Sequence, residues 1–212
     1  MPRDWYWPGI CVGLIVALYW GRVLRLVYKT RKRTGHSANL LPPEPVGRVL
    51  RIIWYPTVIL WIALPLALGF RPIERGVAGL LFTNLAIEWT GVAGSLVAFG
   101  ATLVCWKKMG KSWRMGINPA ETTSLVVSGP YAFVRHPIYA LSSLMMLSTL
   151  LAVPTPLMAL VGVIHMSFLQ WEARREEGYL VQIHGSVYED YMHQVGRFIP
   201  KSTRGYRPGA SP

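Results

Sequence analysis

Charged residues are scarce in this chain: Asp, Glu, Lys and Arg make up 15% of its 212 residues, against about 25% in an ordinary soluble domain. So few charges cannot coat a globular surface when 52% of the residues are hydrophobic, which excludes a small water-soluble domain. Acidic residues are scarcer still, 10 against 22 basic ones, for a net charge of +12. Cysteine occurs only twice. Cys11 falls toward one end of the first apolar run and Cys105 toward the opposite end of the third. That is farther than the roughly 7 Å between Cα atoms that a disulfide tolerates, and two thiols cannot hold a zinc ion alone. The sequence shows no cluster of metal-ligating residues. Gly91 and Gly94 lie inside an apolar run and not between a strand and a helix, so the soluble dinucleotide-binding fingerprint is missing too.

What the chain does have is apolar runs, at 8–28, 49–70, 87–106, 138–153 and 157–171. The first three reach the roughly 20 residues that cross a bilayer as helix, and the last two are short. Five spans sort the basic residues by side. All but Arg3, Arg71 and Arg75 of the 22 Lys and Arg then fall on one face, the bias that marks cytoplasmic loops. The expected fold is therefore an all-α integral membrane protein with about five transmembrane helices, its N-terminus outside and its C-terminus cytoplasmic. The net charge becomes a topological signal, because no basic run stands apart from an apolar span, and nucleic-acid binding is not expected. Trp5, Tyr6 and Trp7 at one end of the first run, and Tyr19, Trp20 and Tyr28 toward the other, read as interfacial anchors. The run passes Trp20 without a small-residue cleavage pattern, so it is expected to be a span and not a signal peptide.

Three regions follow: residues 1–106 as a three-span membrane part, 107–200 as a loop, helical hairpin and cap, and 201–212 as a disordered tail. Thr30 to Gly47, with Pro42, Pro43 and Pro45, reads as a solvated loop. Lys107 to His136, broken by Gly110, Gly116, Pro119 and Gly129-Pro130, reads as irregular backbone at the membrane boundary, where polar groups need partners. Pro137 suits a first helical position. From there the chain runs out, turns at Pro154-Thr155-Pro156 and returns, so the short hairpin must deliver Glu172 to Glu177 beside Arg135 to Tyr139. His165, Glu172 and Glu176 share one helical face and Glu177 lies about a hundred degrees round. Ser186-Val187-Tyr188-Glu189 has the pattern of a capping box opening a short helix, with Tyr188, Tyr191 and Val195 on its apolar side as a cytoplasmic cap.

Gly129-Pro130-Tyr131, Arg135-His136-Pro137-Ile138-Tyr139, Glu176-Glu177-Gly178-Tyr179-Leu180, Gly185, Tyr188, Tyr191 and Arg197-Phe198-Ile199-Pro200 resemble, in order and spacing, the isoprenylcysteine carboxyl methyltransferase family and the related phospholipid methyltransferases. Gly110 to Ile117 is similar to the segment ahead of this motif in bacterial relatives. The resemblance spans residues 107–200. It implies a small helical membrane bundle whose C-terminal half encloses S-adenosylmethionine, with Leu125, Val126, Gly129, Tyr131, Arg135, His136, Tyr139, Glu177 and Tyr188 as cofactor-binding residues and no metal. A sulfonium is attracted to aromatic faces and carboxylates, and the methionyl carboxylate to Arg135, His136 or helix-start N–H groups.

Glu172, Glu176 and Arg175 are the expected catalytic residues for methyl transfer to a lipophilic, membrane-embedded acceptor, either a prenylcysteine-like carboxylate or a lipid amine or hydroxyl. The resemblance implies an arginine about a turn ahead of the glutamates, where this chain has Gln170 and Glu172. Leu141 stands where a glycine often follows the motif. A carboxylate is already ionised at neutral pH, whereas an amine or hydroxyl must lose a proton and needs a base. The extra glutamate favours an acceptor other than a prenylcysteine. The competing classes are a non-enzymatic multispan scaffold or transporter, and a sterol-reductase-like enzyme using a nicotinamide cofactor. The first does not explain why Arg135, His136, Glu172, Glu176 and Glu177 gather at one mouth, and the second rests on fold analogy alone.

Overall fold

The structure is a computed structural model that describes residues 5–35, 45–70, 79–113 and 125–207. Among these residues there are six α-helices and no strand: α1 (Trp7–Thr34), α2 (Pro45–Phe70), α3 (Leu85–Met109), α4 (Pro137–Ala152), α5 (Pro156–His184) and α6 (Ser186–Gln194). Helices α1, α2 and α3 are long and apolar enough to cross a membrane, while α4, with 16 residues, is shorter. The expected loops at Thr30 to Gly47 and Lys107 to His136 lie partly outside the described residues. Within them α1 continues to Thr34, and two 3₁₀ turns form at Gly110–Ser112 and Gly129–Ala132.

Helix α3 packs along α4, α1 against α2 and α3, and α2 against α5. Small residues set the closest approaches, as expected where helices gain from van der Waals contact more than from the hydrophobic effect. A Cβ on Gly91 would stand 2.4 Å from the Ser148 carbonyl oxygen, and one on Gly69 would stand 2.4 Å from the Ile10 side chain. The main core gathers Val12, Val16, Trp61, Met145, Met146 and Met158. Within it Trp61 Nε1 donates to Thr149 Oγ1 at 3.0 Å. His165 accepts from Trp54 Nε1 through Nδ1 at 3.2 Å and meets Ser142 Oγ through Nε2 at 3.0 Å. An Nδ1 that accepts leaves the proton on Nε2, so His165 is a neutral, satisfied core histidine.

Helix α4 begins as the sequence implies, with His136 at the N-cap and Pro137 first in the helix. Thr155 caps α5 by accepting from Met158 N. The apolar run ending at 171 is only the first half of α5, which continues unbroken to His184 because no proline interrupts it.

Two expectations are corrected here. The capping box at Ser186 does not form: Gly185, at φ +54°, takes the cap position, Ser186 is already helical, and no side chain bonds the cap. The tail is not disordered from residue 201. Lys201 Nζ donates to the Met192 and His193 carbonyls, Tyr206 N donates to Ala132 O at 2.9 Å, and the Tyr206 ring lies 5.0 Å from that of Tyr191. Residues 208–212 lie outside the described residues.

Candidate functional site

The chain from Val134 to His136 is tied to the segment after α6. Val134 and Gly196 form a parallel bridge, Arg135 N donates to Gly196 O at 2.8 Å, and His136 N donates to Arg197 O at 3.0 Å. This tie, with the side-by-side placing of α4 and α5, brings three glutamates of α5 to the start of α4.

Glu177 is the anchor. Arg135 donates through Nε at 3.0 Å and Nη2 at 2.8 Å to Glu177 Oε1, and Arg197 donates to both carboxylate oxygens. Burial alone would push the Glu177 carboxyl up, but His136, Arg197 and Arg135 outweigh it and hold the group well below the usual carboxylate range. Arg135 also donates through Nη1 to the Met192 and Val195 carbonyls, so its donors hold the chain around α6 in place.

Glu176 faces the other way. Its Oε1 accepts from the Tyr139 hydroxyl at 2.6 Å, and its Oε2 lies 3.4 Å from His136 Nδ1. The His136 and Tyr139 rings stack, with centroids 5.4 Å apart and planes 6° from parallel. His136 Nε2 stands 3.2 Å from Glu177 Oε1, at ion-pair distance but out of line for a hydrogen bond, and has no such partner among the described residues. Burial pushes the His136 imidazole down, and its contacts with Glu176 and Glu177 more than reverse this, leaving it above its ordinary value.

One turn earlier, Glu172 is 1% exposed. Its Oε1 accepts from Arg175 Nη2 at 3.0 Å and from Arg51 Nη2, on α2, at 3.2 Å. The Arg51 guanidinium also lies over the rings of Trp54 and Phe168, 5.2 and 5.4 Å from their centroids.

These groups border a cavity of about 190 Å³. A single water needs about 10–15 Å³ on the same measure, so the space suits a small organic molecule. Its polar wall carries Arg51, Arg135, His136, Tyr139, Glu172 and Glu176, and its apolar wall is largely aromatic: Tyr19, Trp20, Trp54, Trp106, Trp113 and Phe168. Tyr131 joins them. Gly129, at φ +66°, opens the turn that presents Tyr131, whose carbonyl accepts from the Tyr191 hydroxyl at 2.5 Å.

The residues expected from the sequence thus divide. Tyr131, Arg135, His136, Tyr139, Glu172 and Glu176 line the cavity; Leu125, Val126, Gly129, Glu177, Tyr188 and Arg175 do not. Leu125 packs with Tyr188 and Tyr191 in a small core around α6. Arg175 bonds Glu172 on the cavity wall, its guanidinium over the Trp171 ring. The sequence reading gave no site role to Arg51, Trp54, Trp106, Trp113 or Arg197. Of these Arg197 left the clearest trace, because it stands in the Arg197-Phe198-Ile199-Pro200 motif. From Gly110 to Ile117, only residues up to Trp113 are described.

Residues 92–182 match the sequence model of the isoprenylcysteine carboxyl methyltransferase (ICMT) family. The chain is 29% identical over 128 residues to the cobalt-zinc-cadmium resistance protein CzcN of Cupriavidus metallidurans, covering 58% of each protein. It is 26% identical over 119 residues to the nickel-cobalt-cadmium resistance protein NccN of Alcaligenes xylosoxydans xylosoxydans, covering 54% of this chain and 55% of the relative. The matched part therefore spans little more than half the length of either relative.

Proposed function

The chain belongs to the isoprenylcysteine carboxyl methyltransferase family through residues 92–182, and from that premise we propose that it transfers a methyl group from S-adenosylmethionine to a lipophilic acceptor taken from the membrane. The observation that carries this reading is the stacked pair His136 and Tyr139, with Glu176 across from both; these residues of the matched segment form one wall of an aromatic cavity.

The residues fit the cofactor. A sulfonium cation is drawn to ring faces and carboxylates, which Tyr131, Tyr139 and Glu176 supply. The methionyl carboxylate needs a cation whose donors are not already used. Arg135 gives its donors to Glu177 and to backbone carbonyls, whereas buried His136 Nε2 has no aligned acceptor. His136 is therefore the carboxylate partner in this reading, and Arg135 and Glu177 are the clamp that fixes its backbone. When bound, the cofactor supplies an electrophilic methyl group. The chain supplies alignment, the part of a displacement reaction in which effective concentration does most.

In the same reading α4 and the first half of α5 form a short hairpin that brings the count to five spans, and the site opens to the cytoplasm. The charge bias of the loops supports this orientation. The relatives' names speak of metal resistance; among the described residues no group of three or more His, Cys, Asp or Glu is placed to hold a metal ion. Membranes containing the chain, supplied with methyl-labelled S-adenosylmethionine, should place label in the organic extract. Membranes containing His136→Ala should place little there, and equal labelling in both would refute the assignment.

A further inference from the structure

The methyl acceptor can be narrowed by the charges around Glu172, taking the methyltransferase reading as given. Glu172 is buried and lines the cavity; its Oε1 already binds two guanidinium groups, those of Arg51 and Arg175. Its Oε2 is also buried and has no hydrogen-bond partner among the described residues. A buried carboxylate oxygen left unpaired is costly, so the arrangement is complete only when a ligand donates a hydrogen bond to it.

We propose that this donor is the acceptor itself, a neutral phenolic hydroxyl on a lipophilic ring, whose proton passes to Glu172 Oε2 as the methyl group arrives. The competing nucleophiles fit the local charge less well. An ammonium would have to enter beside two guanidinium groups. A carboxylate would meet Oε2 lone pair to lone pair and find both guanidinium groups already sharing an anion. A hydroxyl donates to Oε2, and the negative charge growing on its oxygen develops beside the wall that carries Arg51, where it is stabilised. Acidity selects the phenol among hydroxyls: its pKa is about 10, as in tyrosine, within reach of a carboxylate base, whereas an aliphatic alcohol lies near the 15.7 of water. The aromatic wall of Trp54, Trp106, Trp113 and Phe168 suits a ring.

The step balances. An oxygen lone pair forms the new O–CH₃ bond, the C–S bond of the sulfonium donor breaks with its electron pair moving to sulfur, and the O–H proton ends on Glu172. The products are an aryl methyl ether, a neutral thioether and a protonated carboxyl.

The test uses the full chain in detergent or nanodiscs with S-adenosylhomocysteine saturating, and 4-octylphenol, 4-octylanisole, decanoate and octylamine as probes. Calorimetry should find 4-octylphenol bound roughly 10- to 100-fold more tightly than its methyl ether, since the ether leaves Oε2 unpaired. With S-adenosylmethionine in place of the homocysteine product, mass spectrometry should show 4-octylphenol converted to 4-octylanisole, and decanoate and octylamine unchanged. In Glu172→Gln turnover should fall by about 10²- to 10⁴-fold, the usual worth of a general base, with a much smaller change in KM and unchanged S-adenosylhomocysteine affinity. Equal binding of phenol and ether, methylation of decanoate or octylamine in preference to the phenol, or wild-type turnover in Glu172→Gln would overturn the proposal. The first two comparisons need only the wild-type chain. Absence of S-adenosylhomocysteine binding would instead refute the methyltransferase reading beneath it.

Discussion

Arg51 Nη2 lies 3.2 Å from Glu172 Oε1 across 121 positions of sequence, with both side chains buried. This contact joins α2, which precedes the family-matched segment, to the part of α5 that lines the cavity. The N-terminal helices are thus part of the cavity, and Arg51 ties their stability to that of the site.

Removing one partner of a buried ion pair leaves the other charge uncompensated, which costs about 3–5 kcal/mol, whereas replacing both with apolar residues is often nearly neutral. Arg51→Ala should therefore unfold markedly earlier than the wild type in a detergent thermal melt. Arg51→Met with Glu172→Met should recover most of the loss while leaving no activity. A double variant no more stable than Arg51→Ala would show that the pair contributes nothing specific.

The Glu177 and His136 titrations set opposite limits on stability. Glu177 is held below its ordinary value of 4.5, so its contribution is present above that pH and is lost as pH falls. His136 is held above its ordinary 6.5, so its contribution is full below that pH and is lost as pH rises through the folded-state value. Unfolding midpoints should peak between about 4.5 and 6.5. Glu177→Gln should flatten the acid limb and His136→Gln the alkaline one. Unchanged limbs in both variants would mean that the cluster is not the source of the pH dependence.

Gly91 sets the distance between α3 and α4, where a side chain would meet the backbone of Ser148 and Ala152. Gly91→Val should lower the melting temperature and weaken ligand binding, since α4 carries His136 and Tyr139. Gly100, which has open space around it, should accept the same change with an effect within about 0.5 kcal/mol beyond helix propensity. Equal tolerance at both positions would deny the close packing a role.

How much of this was legible in the sequence follows from the distances involved. The meeting of Arg135 to Tyr139 with Glu172 to Glu177 could be read, because a short turn between two apolar runs forces it. The helical period also placed Glu172 and Glu176 on one face with Glu177 round the side. The structure keeps that division: the first two line the cavity and Glu177 lies behind it, holding Arg135 and Arg197. His165 shares the face but lies too deep, paired with Trp54 and Ser142. Arg51 was not legible as a site residue, because its partner is set by how α2 packs on α5 and no local pattern encodes that. The capping box failed for a local reason: Gly185 can adopt a positive φ, so it takes the cap position from Ser186.

Topology is open to direct labelling. With Cys11 and Cys105 replaced, a single cysteine at Gly35 or Ser202 should react with an impermeant maleimide only from the cytoplasmic side, and one at Arg71 only from outside. Labelling of positions 35 and 71 from the same side would contradict the five-span arrangement.

What the cavity binds decides most directly between a methyltransferase and a nicotinamide-dependent enzyme. Calorimetric titration of the purified chain in detergent should give a saturable one-to-one isotherm with S-adenosylhomocysteine and none with a nicotinamide dinucleotide. His136→Ala should weaken that binding by roughly 10- to 150-fold, the worth of one charge-assisted hydrogen bond. Saturable binding of the nicotinamide dinucleotide with no response to S-adenosylhomocysteine would contradict the account.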